Sequence, residues 1–327
     1  MLSAMEHPPI GVLVMAYGTA AGPGDIERYY ADIRGGRPPS PELLRELTHR
    51  YEAIGNRFPL LNITRAQAEG IERELNAGST GAFRAYLGMK HSPPWIAEAI
   101  DEMRRDGIER AVGVVMAPHW SAMSVGSYRE RVERALDGGS APAMTFVDAF
   151  DRQPLFLDLL SDRVAHALGT LGPAEREGAV VLFSAHSLPV RELDDGSLRC
   201  KLCEDCDVAC AYRLGLQATA DAVAARLGIS RHGTAWQSAG RTADPWWGPP
   251  IDEVIAELAE GGARAVVVCP AGFVADHLEI LYDLDVECRR IAEEAGMHFV
   301  RTEMPNADPA YCRAVAAVVR DHLAAVG

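Results

Sequence analysis

The sequence predicts an α/β protein built on two parallel sheets, one in each half of the chain, each flanked by helices. Three observations carry this. Short apolar runs with little alternation recur along the 327 residues, as in strands buried on both faces. Longer amphipathic stretches separate them, which is the order of a parallel sheet with helical crossovers. The length also suits two cores better than one.

Residues 10–17, 83–89, 111–117 and 144–150 read as strands of the first half, and 179–185, 234–238 and 265–269 as strands of the second. Helical stretches fall at 26–34, 41–54, 65–76, 95–106 and 125–136, then at 155–168, 211–227, 251–260, 278–295 and 309–325. Pro41, Pro94 and Pro309 stand near helix starts, where a missing N–H costs least. Gly35, Gly36, Pro38 and Pro39 mark one loop and residues 248–250 another. The boundary is placed at 151–153, giving domains of 1–152 and 153–306. The last helix, at about 307–327, can return to either and is assigned to the first.

A formal net charge of −14 repels phosphate backbones and excludes nucleic acid as a partner. It suits the gathering of cations, although solubility alone accounts for such a charge in many proteins. No segment approaches the ~18 continuous apolar residues of a membrane span. No basic stretch followed by an apolar one opens the chain, so a cytoplasmic protein is expected. In that compartment the seven cysteines are thiols or metal ligands rather than disulfides.

In open parallel sheets the ligand crevice lies beyond the carboxyl ends of the strands. Tyr17, Lys90, His91, His119 and His186 follow strands in this way, and Gly272-Phe273 leads from another toward Asp276, His277 and Glu279. His186 suits a metal ligand or a proton acceptor, against the plainer role of a loop hydrogen bond. Glu279, Asp283 and Glu287 recur at i, i+4 and i+8, one acidic stripe on a helix. It is either a solvated face or a row of oxygen ligands for a hydrated cation.

The strongest local signal is Cys200, Cys203, Cys206 and Cys210, spaced C-x2-C-x2-C-x3-C. Four thiolates at that spacing can converge on one metal centre, an iron–sulfur cluster or a tetrathiolate zinc. A two-cluster ferredoxin run would place proline after the fourth cysteine; Ala211 stands there, and no second set exists. Cys269, Cys288 and Cys312 read as small buried hydrophobes. Trp236, Trp246 and Trp247 suit a flat conjugated ligand or simple packing.

Taken in order, several segments resemble the ferrochelatases. They are Val14-Met15-Ala16-Tyr17-Gly18-Thr19, Asp25-Ile26-Glu27-Arg28-Tyr29-Tyr30, Arg50-Tyr51-Glu52-Ala53-Ile54-Gly55 and Ser184-Ala185-His186-Ser187-Leu188-Pro189. Trp236-Gln237-Ser238, Asp244-Pro245-Trp246, residues 272–279 and Met304-Pro305-Asn306 complete the series. The resemblance implies two Rossmann-like domains of chelatase type with a porphyrin cleft between them. It implies that His186 and Glu279 face each other across the macrocycle centre, with Asp283 and Glu287 as an outer path for Fe²⁺. Tyr17 would lie beneath the ring, and Arg34, His91, Tyr128 and Trp236 near the ring or its propionates.

The opening segment resembles the branch that uses coproporphyrin III to make coproheme in heme synthesis, with protoporphyrin IX, or cobalt or nickel chelation, as alternatives. That branch often has an arginine pair where this chain has Arg34-Gly35. The cysteine segment 198–210 is an addition, similar to internal [2Fe-2S] sites of some bacterial members. A [2Fe-2S] cluster is therefore expected, with [4Fe-4S] or structural zinc as the competitors, and Fe²⁺ as substrate. Porphyrin is the expected partner, with transient contact to neighbouring heme-pathway enzymes. An iron–sulfur redox or heme-sensing protein on the same scaffold is the rival of another class. A nucleotide enzyme is disfavoured, because no G-x-G-x-x-G follows the first strand.

Overall fold

The computed structural model describes residues 8–78, 81–136, 141–194, 196–202 and 210–326. In the first half β1 (Ile10–Ala16), β2 (Phe83–Met89), β3 (Arg110–Val115) and β4 (Ala143–Phe146) form one sheet in the order β2-β1-β3-β4. In the second, β5 (Ala179–His186) is followed by a short antiparallel hairpin of β6 (Val190–Glu192) and β7 (Leu198–Cys200). With β8 (His232–Gln237), β9 (Ala265–Cys269) and β10 (His298–Arg301), β5 forms the second sheet in the order β10-β9-β5-β8. Every pairing within the two large sheets is parallel. This is the predicted α/β architecture.

The helices are α1 (Ile26–Ile33), α2 (Pro41–Ala53), α3 (Leu60–Leu75), α4 (Ile96–Arg105), α5 (Ser127–Leu136) and α6 (Pro154–Thr170). They continue with α7 (Pro173–Gly178), α8 (Ala211–Leu227), α9 (Ile251–Glu260), α10 (Arg289–Glu294) and α11 (Pro309–Val326). Local chemistry sets their ends. Ser40 caps α2 by accepting from the Leu43 amide, and Pro41 opens the helix where no donor is needed.

The strand pleat divides the core. Val12 and Val14 of β1 pack with Ile71 of α3 and Tyr311 of α11, whereas Leu13 and Met15 pack with Ile100 and Met103 of α4. Alternate residues of one apolar strand thus feed two layers, which is why β1 shows no polar alternation. Helix α11 lies against α3 and α6. Gly70 of α3 permits the approach, since a Cβ there would fall 2.4 Å from Cys312 Sγ.

Residues 278–295, read from sequence as one α-helix, are not one. Ile280–Cys288 is a π-helix, and α-helical structure is confined to Leu278 and Glu279 before it and Arg289–Glu294 after it. Apolar periodicity did not reveal this, because Ile280, Leu281, Leu284 and Cys288 face the core in either form. Hydrogen bonds to i+5 place more residues in each turn than 3.6. Residues four apart are therefore carried closer to a straight line. The acidic stripe is straighter than an α-helix would make it.

Candidate active site

His186 is the last residue of β5, placed at the carboxyl edge of its sheet. The loop after β9 is folded tightly over that edge. The Gly272 amide donates to the Ser184 carbonyl at 2.9 Å, and a Cβ on Gly272 would lie 2.4 Å from the Ala185 Cβ. Only glycine permits this approach, and it brings Glu279 to His186. His186 Nε2 and Glu279 Oε1 are 3.7 Å apart, and His277 Nε2 lies 3.6 Å from Glu279 Oε2. The His186 and Glu279 side chains are 33% and 30% exposed, so both open to the cleft. His186 Nδ1 meets the Ser187 carbonyl. A carbonyl can only accept, so Nδ1 carries one proton, and Nε2, which faces Glu279, is the nitrogen that takes up and gives off the second.

Burial works against a charged His186, but the Glu279 carboxylate outweighs it and holds the imidazole above its usual value. Burial likewise opposes a charged Glu279. His186 and His277 overcome that and hold the carboxyl well below the carboxylate range. The pair therefore favours imidazolium beside carboxylate.

This geometry corrects one expectation. His186 and Glu279 do not face each other across a macrocycle. A flat ring needs van der Waals contact on both faces, roughly 7 Å in all, and 3.7 Å leaves no room for it. They form one wall, supplied by the second half of the chain.

The acidic stripe runs outward from that wall. Asp283 is buried; Arg50 of α2 pairs with one of its oxygens and the Ser238 hydroxyl donates to the other. The Arg50 guanidinium also lies 4.7 Å from the Tyr282 ring centroid. Burial pushes the Asp283 carboxyl up to about 6; Arg50 opposes the shift and the Glu279 charge adds to it. Glu287 is exposed at the outer end. Of the three carboxylates the middle one, Asp283, is thus buried, while Glu279 and Glu287 are open on either side of it.

The first half supplies the other residues. Tyr17 follows β1 with an exposed ring, whose centroid is 4.6 Å from that of His91. His91 is buried, and its Nδ1 lies 2.7 Å from Asp32 Oδ1 on α1. Burial lowers His91 to about 4 although Asp32 opposes it, so it is neutral at neutral pH. Lys90 Nζ sits 5.9 Å and 5.1 Å from the Tyr17 and Tyr128 ring centroids and donates to Ser127 Oγ at 2.6 Å. Burial pulls its ammonium down to about 8. Arg34 closes α1, 5.9 Å from the Tyr30 ring, with a buried Nε that has no hydrogen-bond partner among the described residues.

Trp236 departs from expectation. It is 2% exposed, 5.4 Å from the Tyr212 ring and stacked 6.1 Å from Trp247, so it backs the site instead of lining it. Sequence reasoning placed Lys90 at a strand end without a role, and passed over Arg50 and Ser238 as site residues. These two stood inside quoted motifs, but only tertiary contact reveals their partners.

Of the four spaced cysteines, Cys200 ends β7 and Cys210 caps α8, bringing their Sγ atoms to 2.9 Å. The Trp247 indole N–H donates to Cys200 Sγ at 3.2 Å. The Cys200 contact first, and nearby backbone amides after it, lower the Cys210 thiol to about 5 against the effect of burial. Cys203 and Cys206 lie outside the described residues. Cys269, Cys288 and Cys312 are buried, as expected. Among the described residues no group of three or more His, Cys, Asp or Glu is placed to hold a metal ion, and no helix is long and apolar enough to cross a membrane.

Two parallel sheets whose strand ends carry a histidine and a carboxylate in one cleft have the architecture of a chelatase. The sirohydrochlorin chelatase SirB of Bacillus subtilis with Fe³⁺ has a similar fold, with a TM-score of 0.58 at 11% identity over 96% of this chain and 95% of that one. The cobalt complex of SirB from Bacillus subtilis subspecies spizizenii matches at 0.56 and 10%, over 96% and 94%. The family model "Ferrochelatase" matches residues 9–323, and the chain belongs to the ferrochelatase family. Coproporphyrin III ferrochelatase of Anoxybacillus flavithermus is 43% identical over 98% of both chains. The enzyme of that name from Bacillus subtilis is 41% identical over 96% of this chain and 98% of its own.

Proposed function

We infer that this ferrochelatase inserts Fe²⁺ into coproporphyrin III, releasing two protons and giving coproheme, a step of heme synthesis. The observation that carries the reading is the His186–Glu279 pair at the strand ends of a chain alike end to end to coproporphyrin III ferrochelatases. Insertion exchanges two pyrrole N–H protons for one cation. His186 Nε2, its basicity raised by Glu279, accepts the two protons in turn and passes each to solvent, to which the side chain is 33% exposed. Glu279, held ionised, takes the Fe²⁺ as it sheds water. Glu287 and Asp283 pass the hydrated ion inward from solvent.

Tyr17 stands on the opposite side of the ring, with Lys90, His91, Tyr128 and Arg34 toward its edge. The lobes 1–152 and 153–306 close on the disc, and binding energy at its rim distorts it. Transient contact with neighbouring heme-pathway enzymes belongs to the same reading. The test is an anaerobic assay offering coproporphyrin III and protoporphyrin IX side by side. Preference for coproporphyrin III is expected; equal or reversed use defeats the substrate assignment.

Cys200, Cys203, Cys206 and Cys210 are further proposed to hold a [2Fe-2S] cluster. The convergence of the two outer thiols and the acidity of Cys210 fit thiolate ligation. A bound cluster supplies one-electron chemistry, separate from the Fe²⁺ that is substrate. Freshly purified protein should absorb in the visible, bleach on reduction and lose both properties in Cys203→Ser. A [4Fe-4S] spectrum, or a colourless protein with one zinc, would replace the assignment.

A further inference from the structure

The segment after His186 is held by the cysteine-bearing part of the chain. The Ser187 hydroxyl donates to the Trp247 carbonyl at 2.7 Å, and the Trp247 amide donates to the Leu188 carbonyl at 3.0 Å. The Lys201 amide donates to the Pro189 carbonyl at 2.9 Å. Trp247 in turn points its indole N–H at Cys200 Sγ.

A second support arrives from α8. The Tyr212 hydroxyl donates to the carbonyl of His186 itself at 3.0 Å. Tyr212 is 7% exposed, so its hydroxyl is not a group of the cleft; a buried phenol needs an acceptor, and the one it takes is the backbone of His186. It sits in the first turn of α8, two residues beyond the capping Cys210. Cys210 and Cys200 are the pair whose sulfurs lie 2.9 Å apart. The same two sulfurs therefore stand behind both supports of His186, one through Trp247 and one through Tyr212.

We propose that Tyr212 is a positioning residue for His186, and that the Cys200–Cys210 pair, acting through Tyr212 and Trp247, sets where that imidazole stands. The proposal rests on the reading of His186 as proton acceptor. A base must lie within hydrogen-bond reach of the proton it takes, so small displacements of its backbone lower turnover more than substrate binding.

The test uses the protein as isolated. Tyr212→Phe should lower kcat about ten-fold while leaving KM for coproporphyrin III unchanged. In ¹⁵N-histidine-labelled protein, the imidazole signals of His186, assigned with His186→Gln, should move in Tyr212→Phe. Cys200→Ser should move the same signals, and should add less in the Tyr212→Phe background than alone, because only the Trp247 route then remains. Trp247→Phe removes the indole N–H while keeping an aromatic ring and the backbone hydrogen bonds, and provides the second arm if Cys200→Ser does not fold. A Tyr212→Phe protein with unchanged kcat and unchanged His186 signals overturns the proposal, as do effects of Cys200→Ser and Tyr212→Phe that simply add. Full turnover by His186→Ala would instead sink the reading beneath it, so the two failures are distinct.

Discussion

Arg50 and Asp283 form a largely buried ion pair that joins α2 of the first half to the π-helical segment of the second. The pair sits next to Glu279 on the acidic stripe, on the path proposed above for an incoming cation. Replacing Arg50 with Met leaves a buried carboxylate without its cation, which costs about 3–5 kcal/mol where such pairs are broken. With Arg50 25% exposed, the lower end of that range is expected, read by denaturant unfolding. KM for Fe²⁺ should rise as well, because Asp283 then holds its proton at higher pH.

Asp283 also makes a pH prediction whose sign is unusual for a carboxylate. Its folded pKa, about 6, lies above the unfolded value. The stability it contributes is therefore fully present below the unfolded pKa, and is lost as pH rises through about 6. Asp283→Asn is fixed neutral. Its melting temperature relative to the parent should rise as pH is raised from 4 to 7. A difference that stays flat across that window would contradict the assignment.

The residues that carry the cleft were legible in the chain because each follows a strand. Tyr17, His91 and His186 lie at the carboxyl ends of β1, β2 and β5, and strand ends can be read from apolar runs. What escaped was set by long-range contact. Trp236 looked like an aromatic for a flat ligand, yet Tyr212 and Trp247 bury it from either side. The π-helical turn was invisible because its apolar residues satisfy both periods. Strand β10 went unread because it is four residues long and begins with an exposed histidine; β6 and β7 have three residues each, with arginines among them. The short separation of His186 and Glu279 depends on Gly272, whose role shows only when Ala185 is seen beneath it.

Lys90 offers a second pH test. Its ammonium is lost as pH rises through about 8, since burial favours the neutral amine. A cation between Tyr17 and Tyr128 is suited to draw a propionate of the substrate, so KM for coproporphyrin III should climb between pH 7 and 9. Lys90→Met should show a higher KM at pH 7, by about three- to ten-fold for one partly buried charge, and little change over the same range. Steady-state assays at several pH values decide it; a parent enzyme with constant KM would exclude Lys90 as a substrate contact.

Gly272 tests whether the separation of His186 and Glu279 matters to turnover. An added Cβ would meet the Ala185 Cβ at 2.4 Å and its Cα at 2.8 Å. Neither can swing aside, because Ala185 is paired in β5 with Trp236 of β8. The loop must lift instead, breaking the Gly272 amide bond to Ser184 and drawing Glu279 away from His186. Gly272→Ala should thus lose about 1–3 kcal/mol of stability, the usual range for overpacking. It should lose turnover by a larger factor than that destabilisation predicts at a temperature where the protein stays folded. Weakened Glu279 contact would return the His186 imidazole toward its ordinary value, which an NMR titration of the variant reads directly. A variant that is destabilised but turns over normally would show that the chemistry tolerates a looser pair.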